Sequence, residues 1–364
     1  MEKRENEIVA FVLIWQNVID TIDYPGVSDM TKRRITIRDV AKRAGVSTAT
    51  VSRVLNKSKK VHFRTRRLVE DACEELGFYR DPIAAALRTG KSNTVHLLIE
   101  RFDGNFIPDI LVGIEGKADR EGYRLVVSKL DAAVSGIWEP SNQYIDGIIV
   151  ISDSVHTLNL SEVAGRDNIP LICVYSYSQN PRYPSVLPDD YQGAYLAVQH
   201  LADSGCKAVG FISGPSDWPA SQDRLRAYKQ AVKDFALKDD PDLIEVGDWS
   251  TESGYRACQS LLRKAAFDGL FAGNDPMAMG AIYAFKEHGL EVPRDVAVVG
   301  FDDAVFCRYV RPTLSSIAMP LKELGEVAMD NLISMIRNNG QLKHDEHMIK
   351  LPCVLRERDS TKVS

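Results

Sequence analysis

Along residues 35–56 the apolar positions recur at helical spacing in two short stretches separated by a turn. Ile37, Val40, Ala41 and Ala44 fall on one face of a helix over 37–44, and Val51, Val54 and Leu55 on one face of a second. Between them Ala44-Gly45-Val46-Ser47 supplies a glycine turn that ends on an N-capping serine. Helix, tight turn, N-cap, helix is the sequence form of a helix-turn-helix, whose second helix can enter a DNA major groove. Thr48, Ala49, Ser52 and Arg53 are left on its outward face. A third helix is expected over 64–76, with Leu68, Val69, Ala72, Cys73 and Leu76 as its buried stripe and Gly77 as its C-cap. Arg64, Arg66 and Arg67 sit in its first turn against the helix dipole, a cost that phosphates would relieve. Residues 81–90 read as a short alanine-rich helix capped by Asp81, started by Pro82 and stopped by Gly90. Alone it is marginal; it would form when paired with a copy of itself or laid on DNA.

From Thr94 the period changes. Short apolar runs predict strands at 94–100, 123–127, 146–151 and 170–175, with a helix over 110–121 among them. A second series comes next: helix 190–204, strand 208–213, helices 224–235 and 253–264, strand 269–273, helix 276–288 and strand 296–301. Continuous apolar strands alternating with helices make parallel sheets covered on both faces. The series is too long for one sheet and repeats as two similar halves. The expected fold is therefore multidomain. An all-α helix-turn-helix head and hinge helix precede an α/β core of two doubly wound lobes, with a ligand cleft between them.

Composition sharpens this picture at one place. The 364 residues are 45% hydrophobic and 26% charged, an ordinary multidomain globular balance. The net charge of -5 conceals a division. Residues 30–91 hold 16 Lys and Arg against 6 Asp and Glu, residues 1–29 hold 2 against 6, and the remainder carries -11. A basic segment that coincides with a helix-turn-helix, on an acidic body, is the footprint of a polyanion-binding surface. The six cysteines are widely separated and show no metal or redox spacing, which suits reduced, buried thiols in a cytosolic protein. No nucleophile–base pair, phosphate loop or metal set points to an enzyme, and no cofactor is implied. The apolar run at residues 8–15 is too short to span a bilayer and lacks the flanks of a signal peptide, so no membrane partner is expected. Residues 1–29 fit poorly with the rest of the chain. Either the native chain starts at Met30, or this stretch is an amphipathic helix used for docking.

At this point the motifs resemble those of the lactose/galactose repressor (LacI/GalR) family of transcriptional regulators. The resemblance rests on TIRDVAKRAGVSTATVSRVLN, IAAALRTGKSNTV, DGIIVI, DDYQGAYLAVQHLADSG, SQDRLRAY, GDWS, NDPMAMGAIYAFKEHGLEVPRDVAVVGFDD and TLSSIAMPLKELGEVAMDNL, and covers residues 34–358. It implies a core like that of periplasmic sugar-binding proteins. It also implies that Thr48, Ala49 and Arg53 read bases, Arg53 through a fork suited to guanine, while Ser47, Thr50, Ser52 and Asn56 suit phosphates. Leu87 matches a hinge wedge that kinks the operator centre, with Ala84 and Arg88 in the same minor groove; Leu87 would also pack the paired hinge helices. In the core, Arg224, Asn274 and Asp302 match effector-binding positions suited to a polyhydroxylated ligand, and Trp249 matches a stacking aromatic. Phe106 is expected in the pocket wall, with Ser152 and Ser221 as weaker members. Asp275 reads equally as ligand or helix cap.

The chain departs from the family pattern in places. His62 replaces a capping serine, Arg80 a proline, Tyr175 a polar residue and Cys206 a histidine, and residues 131–144 look shorter than usual. The domains expected are an extension (1–29), a DNA-binding head (30–80), a hinge (81–91) and a core (92–364). Within the core the first lobe would take about 92–188 and 317–348, the second about 189–316 and 349–360. The resemblance implies a cytoplasmic, nucleoid-associated homodimer on a pseudo-palindromic operator of double-stranded DNA. Its affinity would be set allosterically by an effector in the cleft. A sugar or sugar derivative is favoured, with a purine, nucleoside or other metabolite as the alternative. A sugar-binding transport protein is the rival from another class, which the basic head argues against.

Overall fold

In the head, each helix begins where a side chain can satisfy the free amides of its first turn. The computed structural model describes residues 35–55, 58, 60–78, 91–102, 104, 106–130, 145–152, 160–164, 169–178, 180–338, 340–341 and 347–362. Two compact units are present, Met1–Pro82 and Ile83–Ser364. The first contains α1 (Ile37–Ala44), α2 (Thr48–Leu55) and α3 (Phe63–Leu76). At the start of α1, Asp39 Oδ2 accepts both the Thr36 amide at 2.8 Å and the Thr36 hydroxyl at 2.7 Å. Gly45 ends that helix at φ 67°, a left-handed conformation that glycine enters without steric cost. Ser47 Oγ then accepts the Thr50 amide at 3.1 Å and starts α2. Val40, Val51, Val54 and Val69, all buried, close the small core with Ala41 and Ala72. Two details differ from the sequence reading. Leu68 is 55% exposed rather than part of the stripe, because Val69 takes the inward position beside it. At the position of the missing serine, His62 Nδ1 caps α3 by accepting the Arg64 amide at 3.3 Å.

The second unit carries two six-stranded sheets. The first lobe is built from β1 (Thr94–Ile99), α4 (Ile107–Glu121), β2 (Arg124–Lys129), β3 (Gly147–Ile151), α5 (Leu160–Ala164), β4 (Leu171–Val174) and β5 (Ser185–Pro188). The second begins with α6 (Asp190–Asp203), β6 (Val209–Ser213), α7 (Pro219–Asp234), β7 (Ile244–Val246) and α8 (Thr251–Lys264). It continues through β8 (Gly269–Ala272), α9 (Asp275–Glu287), β9 (Ala297–Asp302) and β10 (Ser315–Ala318). The chain then returns to the first lobe for α10 (Leu321–Arg337) and β11 (Met348–Leu351), and ends in the second with β12 (Val354–Arg356). The strand orders are β11-β5-β4-β3-β1-β2 and β12-β10-β9-β8-β6-β7. Every pairing is parallel except β12 against β10.

Both faces of each sheet are covered, so β1, β3, β4 and β6 are buried along their whole length. In the first lobe α4 and α10 cross at two glycines: a Cβ on Gly113 would lie 2.0 Å from the Lys322 carbonyl oxygen, and one on Gly325 2.2 Å from that of Ile110. Strands β5, β7, β10, β11 and β12 and helices α5 and α10 were not read from periodicity. Most are short, or lie at sheet edges where only alternate residues are buried. The returns between lobes also sit differently. Residues Ser315–Ala318 pair with β9 in the second sheet, and Met348–Leu351 with β5 in the first. Each sheet therefore keeps those strands whole, where divisions at 317 and 348 would cut them. The extension 1–29, Arg80, hinge residues 81–90 and residues 131–144 lie outside the described residues. No helix of the described residues is long and apolar enough to cross a membrane.

Candidate functional site

The head presents its polar residues on one side of α2. Thr48, Ala49 and Arg53 are exposed, and so is Ser47; Thr50 and Ser52 are half-buried. Ser47 and Thr50 hydroxyls lie 2.9 Å apart, so the N-cap and the first turn of α2 hold each other in place. Asn56, Ala84, Leu87 and Arg88 lie outside the described residues. On α3, Arg66 donates to the Ser58 carbonyl at 2.8 Å, leaving Arg64 and Arg67 as exposed cations beside it.

In the second unit, a cleft of about 480 Å³ opens between the lobes. Phe106, Tyr175, Tyr177 and Pro188 line it from the first lobe, and Trp218, Arg224, Trp249, Asn274 and Asp302 from the second. Of the sequence-derived candidates, five are thus brought together: Phe106, Arg224, Trp249, Asn274 and Asp302. Phe106 stacks on Tyr175 with ring centroids 4.3 Å apart, so the tyrosine at a position usually polar serves as an aromatic backing. Trp218 and Trp249 stand 5.8 Å apart on the opposite wall. Tyr175, Trp249 and Asp302 all adopt left-handed φ values (64°, 73° and 110°), a local strain concentrated at the cleft.

Arg224 is fully buried and committed. Its Nε and one terminal nitrogen donate to Asp190 Oδ1 at 2.9 and 2.6 Å, and the other terminal nitrogen to the Gly273 carbonyl. Its guanidinium lies 3.7 Å from the Phe301 ring centroid. Burial works against its charge, yet Asp190 and Asp302 hold its pKa above the ordinary value. Asp302 is raised well above the carboxylate range by burial, with Arg224 opposing and Asp275 and Asp190 adding repulsion. Asn274 uses its carbonyl to cap the Met277 amide and its amide to hold the Trp249 carbonyl, both at 2.9 Å. It is a helix cap that also faces the cleft.

Three candidates sit elsewhere. Asp275 is buried behind the wall, accepting the Ser316 hydroxyl at 2.6 Å and the Ala304 amide at 2.7 Å. Successive residues at a helix start point in different directions, so Asn274 and its neighbour cannot both face the ligand. Ser152 is buried and donates to Glu100. Ser221 is buried off the cleft wall, its hydroxyl without a hydrogen-bond partner among the described residues. Cys206 is packed in the second lobe, its thiol donating to the Asp268 carbonyl at 3.4 Å. The residues that sequence reasoning missed are Asp190, Tyr177 and Trp218. The doublet Asp189-Asp190 was the available signal: Asp189 caps α6, which leaves the second carboxylate without a local task. Among the described residues no cluster of His, Cys, Asp and Glu could hold a metal.

A helix-turn-helix head followed in the chain by a two-lobed core with a polar, aromatic-walled cleft defines the class of DNA-binding regulators with a separate core domain. Residues 36–81 match the lacI family of bacterial regulatory proteins, and residues 198–361 match a periplasmic binding protein-like domain. The chain is 33% identical to catabolite control protein A of Priestia megaterium over 334 residues, 90% of this chain and 99% of that protein. It is 31% identical to the HTH-type transcriptional repressor PurR of Proteus mirabilis, over 89% and 96%. Among solved structures, the lac repressor dimer bound to operator and the anti-inducer ONPF superposes with a TM-score of 0.75 at 26% identity, over 91% of this chain and all of that one. A CelR–cellobiose complex does so at 0.66 and 27%, over 90% and 100%. The chain belongs to the lacI family: it is a DNA-binding transcriptional regulator, and its relatives are regulators rather than enzymes.

Proposed function

We propose that this regulator binds a pseudo-palindromic operator as a homodimer and that a neutral, polyhydroxylated ligand, a sugar or sugar derivative, in the cleft sets its operator affinity. The observation that carries the ligand class is the Arg224–Asp190 pair. A guanidinium that already shares a carboxylate at 2.6 Å is not a free anion receptor. Arg101 and Arg224 are matched by Asp190 and Asp248 around the cleft, so its charge does not favour an anion. Hydroxyl groups suit such a mixed lining, since each both donates and accepts. The indole faces of Trp218 and Trp249 suit the C–H face of a sugar ring. The solved CelR complex with cellobiose, a neutral disaccharide, agrees with this class. In the head, Thr48, Ala49 and Arg53 would read base edges while Ser47, Thr50 and Ser52 position the helix on phosphates.

The flat face of Phe106, backed by Tyr175, would also take a purine base, which gives the second reading its footing. A thermal-shift screen with cellobiose, ribose, their phosphates, hypoxanthine and guanine separates the two. A ligand at a hundred times its Kd should add about 2.7 kcal/mol of stability. Stabilisation by a neutral sugar supports the proposal; stabilisation by a base or a sugar phosphate alone refutes it.

A further inference from the structure

Arg224, one wall of the cleft, is the first member of a chain of polar contacts that runs from the second lobe into the first. Its partner Asp190 accepts through Oδ2 the hydroxyl of Tyr177 at 3.2 Å, and the same hydroxyl lies 3.4 Å from Asp223 Oδ2. Asp223 Oδ2 also accepts from Lys350 Nζ at 2.9 Å, while its other oxygen pairs with Arg226. Asp190 and Asp223 belong to α6 and α7 of the second lobe. Tyr177 follows β4, and Lys350 sits on β11, both in the first. The contacts therefore cross between the sheets. They lie beside two of the connections that the chain makes between lobes, at Asp189 and at Pro352-Cys353. These connections are themselves stapled together, since the Asp189 amide donates to the Leu351 carbonyl at 2.8 Å and the Cys353 amide to Gln192 Oε1 at 2.9 Å. The Asp223 and Asp190 side chains are only 9% and 2% exposed, so this is not a solvated surface pair.

We propose that Tyr177, Asp190, Asp223 and Lys350 form a latch that fixes the angle between the lobes and ties that angle to the position of the Arg224 guanidinium. Its regulatory meaning rests on the cleft being the ligand site; its existence does not. With Asp190 and Asp223 bridged by one tyrosine hydroxyl, a ligand that draws on Arg224 displaces Asp190, loosens Tyr177 and frees the Asp223–Lys350 bridge to shift. Each member is a positioning residue.

The test is hydrogen exchange, resolved by amide, on the full chain without ligand. Lys350→Met, Asp223→Asn and Tyr177→Phe should each speed exchange at the amides of Asp189 and Cys353 by about 3- to 10-fold. Sheet-interior amides such as Ile149 and Val299 should stay at the wild-type rate. Lys350→Arg should behave as wild type, and Lys350→Met combined with Tyr177→Phe should show no more than the larger single effect. Unchanged exchange at Asp189 and Cys353, additive effects, or an equal rise across both sheets would each overturn the latch. Because no ligand is used, failure of the sugar assignment leaves this result intact, and failure here leaves that assignment open to its own screen.

Discussion

Replacing Gly214 by alanine tests whether Trp249 is a wall of the ligand site. The loop after β6 passes so close to the indole that a Cβ on Gly214 would sit 2.0 Å from Trp249 Cζ2, 2.1 Å from Cη2 and 2.4 Å from Cε2. Carbon atoms rest about 3.5 Å apart, so the ring must retreat by roughly 1.5 Å. Its routes are limited. Gly273 lies against the far edge, where an added Cβ would be 3.3 Å from Cζ3. Asn274 holds the Trp249 carbonyl, and the backbone is already at φ 73°. The open direction is the cleft itself. Overpacking of this kind costs about 1–3 kcal/mol, and because the ring can yield into the cleft, the loss falls mainly on the ligand. We expect ligand affinity to drop about 10- to 100-fold with operator binding unchanged. Calorimetric titration with the ligand found in the screen, beside a mobility shift at fixed salt, measures both. Gly116→Ala is the control, since its Cβ would meet only a guanidinium nitrogen of Arg120 at 3.7 Å. Wild-type affinity in the Gly214 variant would refute the placement of Trp249 against the ligand.

Four further outcomes are expected from the same geometry. Arg224→Ala should abolish the ligand response and cost about 3–5 kcal/mol in urea melts, because Asp190 is left buried without its partner; adding Asp190→Ala should return part of the stability and none of the response. Arg53→Ala should weaken operator binding by about 1–3 kcal/mol and relax preference at one base pair, read by mobility shift across single-base operator variants. Gly113→Ala should push α4 from α10 and lower stability by about 1–3 kcal/mol, since its Cβ would lie 2.0 Å from a backbone oxygen. Burial pushes Asp275 up to about 7, against hydrogen bonds from Ser316 and Ala304. An unfolded aspartate titrates near 3.9, so between the two values the folded chain holds a proton that the unfolded chain has lost. This contribution is complete below the lower value and falls by about 1.4 kcal/mol per pH unit up to the higher one. Asp275→Asn should flatten that slope in urea melts from pH 5 to 8, and a slope as steep as the wild type would contradict the buried protonated state.

What could be read from the sequence was whatever is decided within a few residues. Periodicity placed the three head helices because each has one inward face, and Ser47 and Gly45 marked a turn by their own chemistry. Periodicity does not discriminate where two neighbours fit it equally: Leu68 and Val69 both sit at helical spacing from Ala72, and only the narrow core around Val40, Val51 and Val54 decides between them. The same limit applied at Asn274 and Asp275, adjacent polar residues at a helix start, one of which faces the cleft while the other is buried behind it. The most consequential case is Arg224. From its motif it reads as an unencumbered fork, and such a fork is equally suited to a sugar hydroxyl, a carboxylate or a phosphate. Its partner Asp190 is 34 residues earlier and looks like the second half of a helix cap. Only the packing of α7 against α6 brings the two together, and the proposal of a neutral ligand rests on that contact. No local pattern announces this long-range pair, and the aromatic walls divide in the same way: Phe106 and Trp249 were legible from their motifs, whereas Tyr177 and Trp218 join the cleft only through the fold.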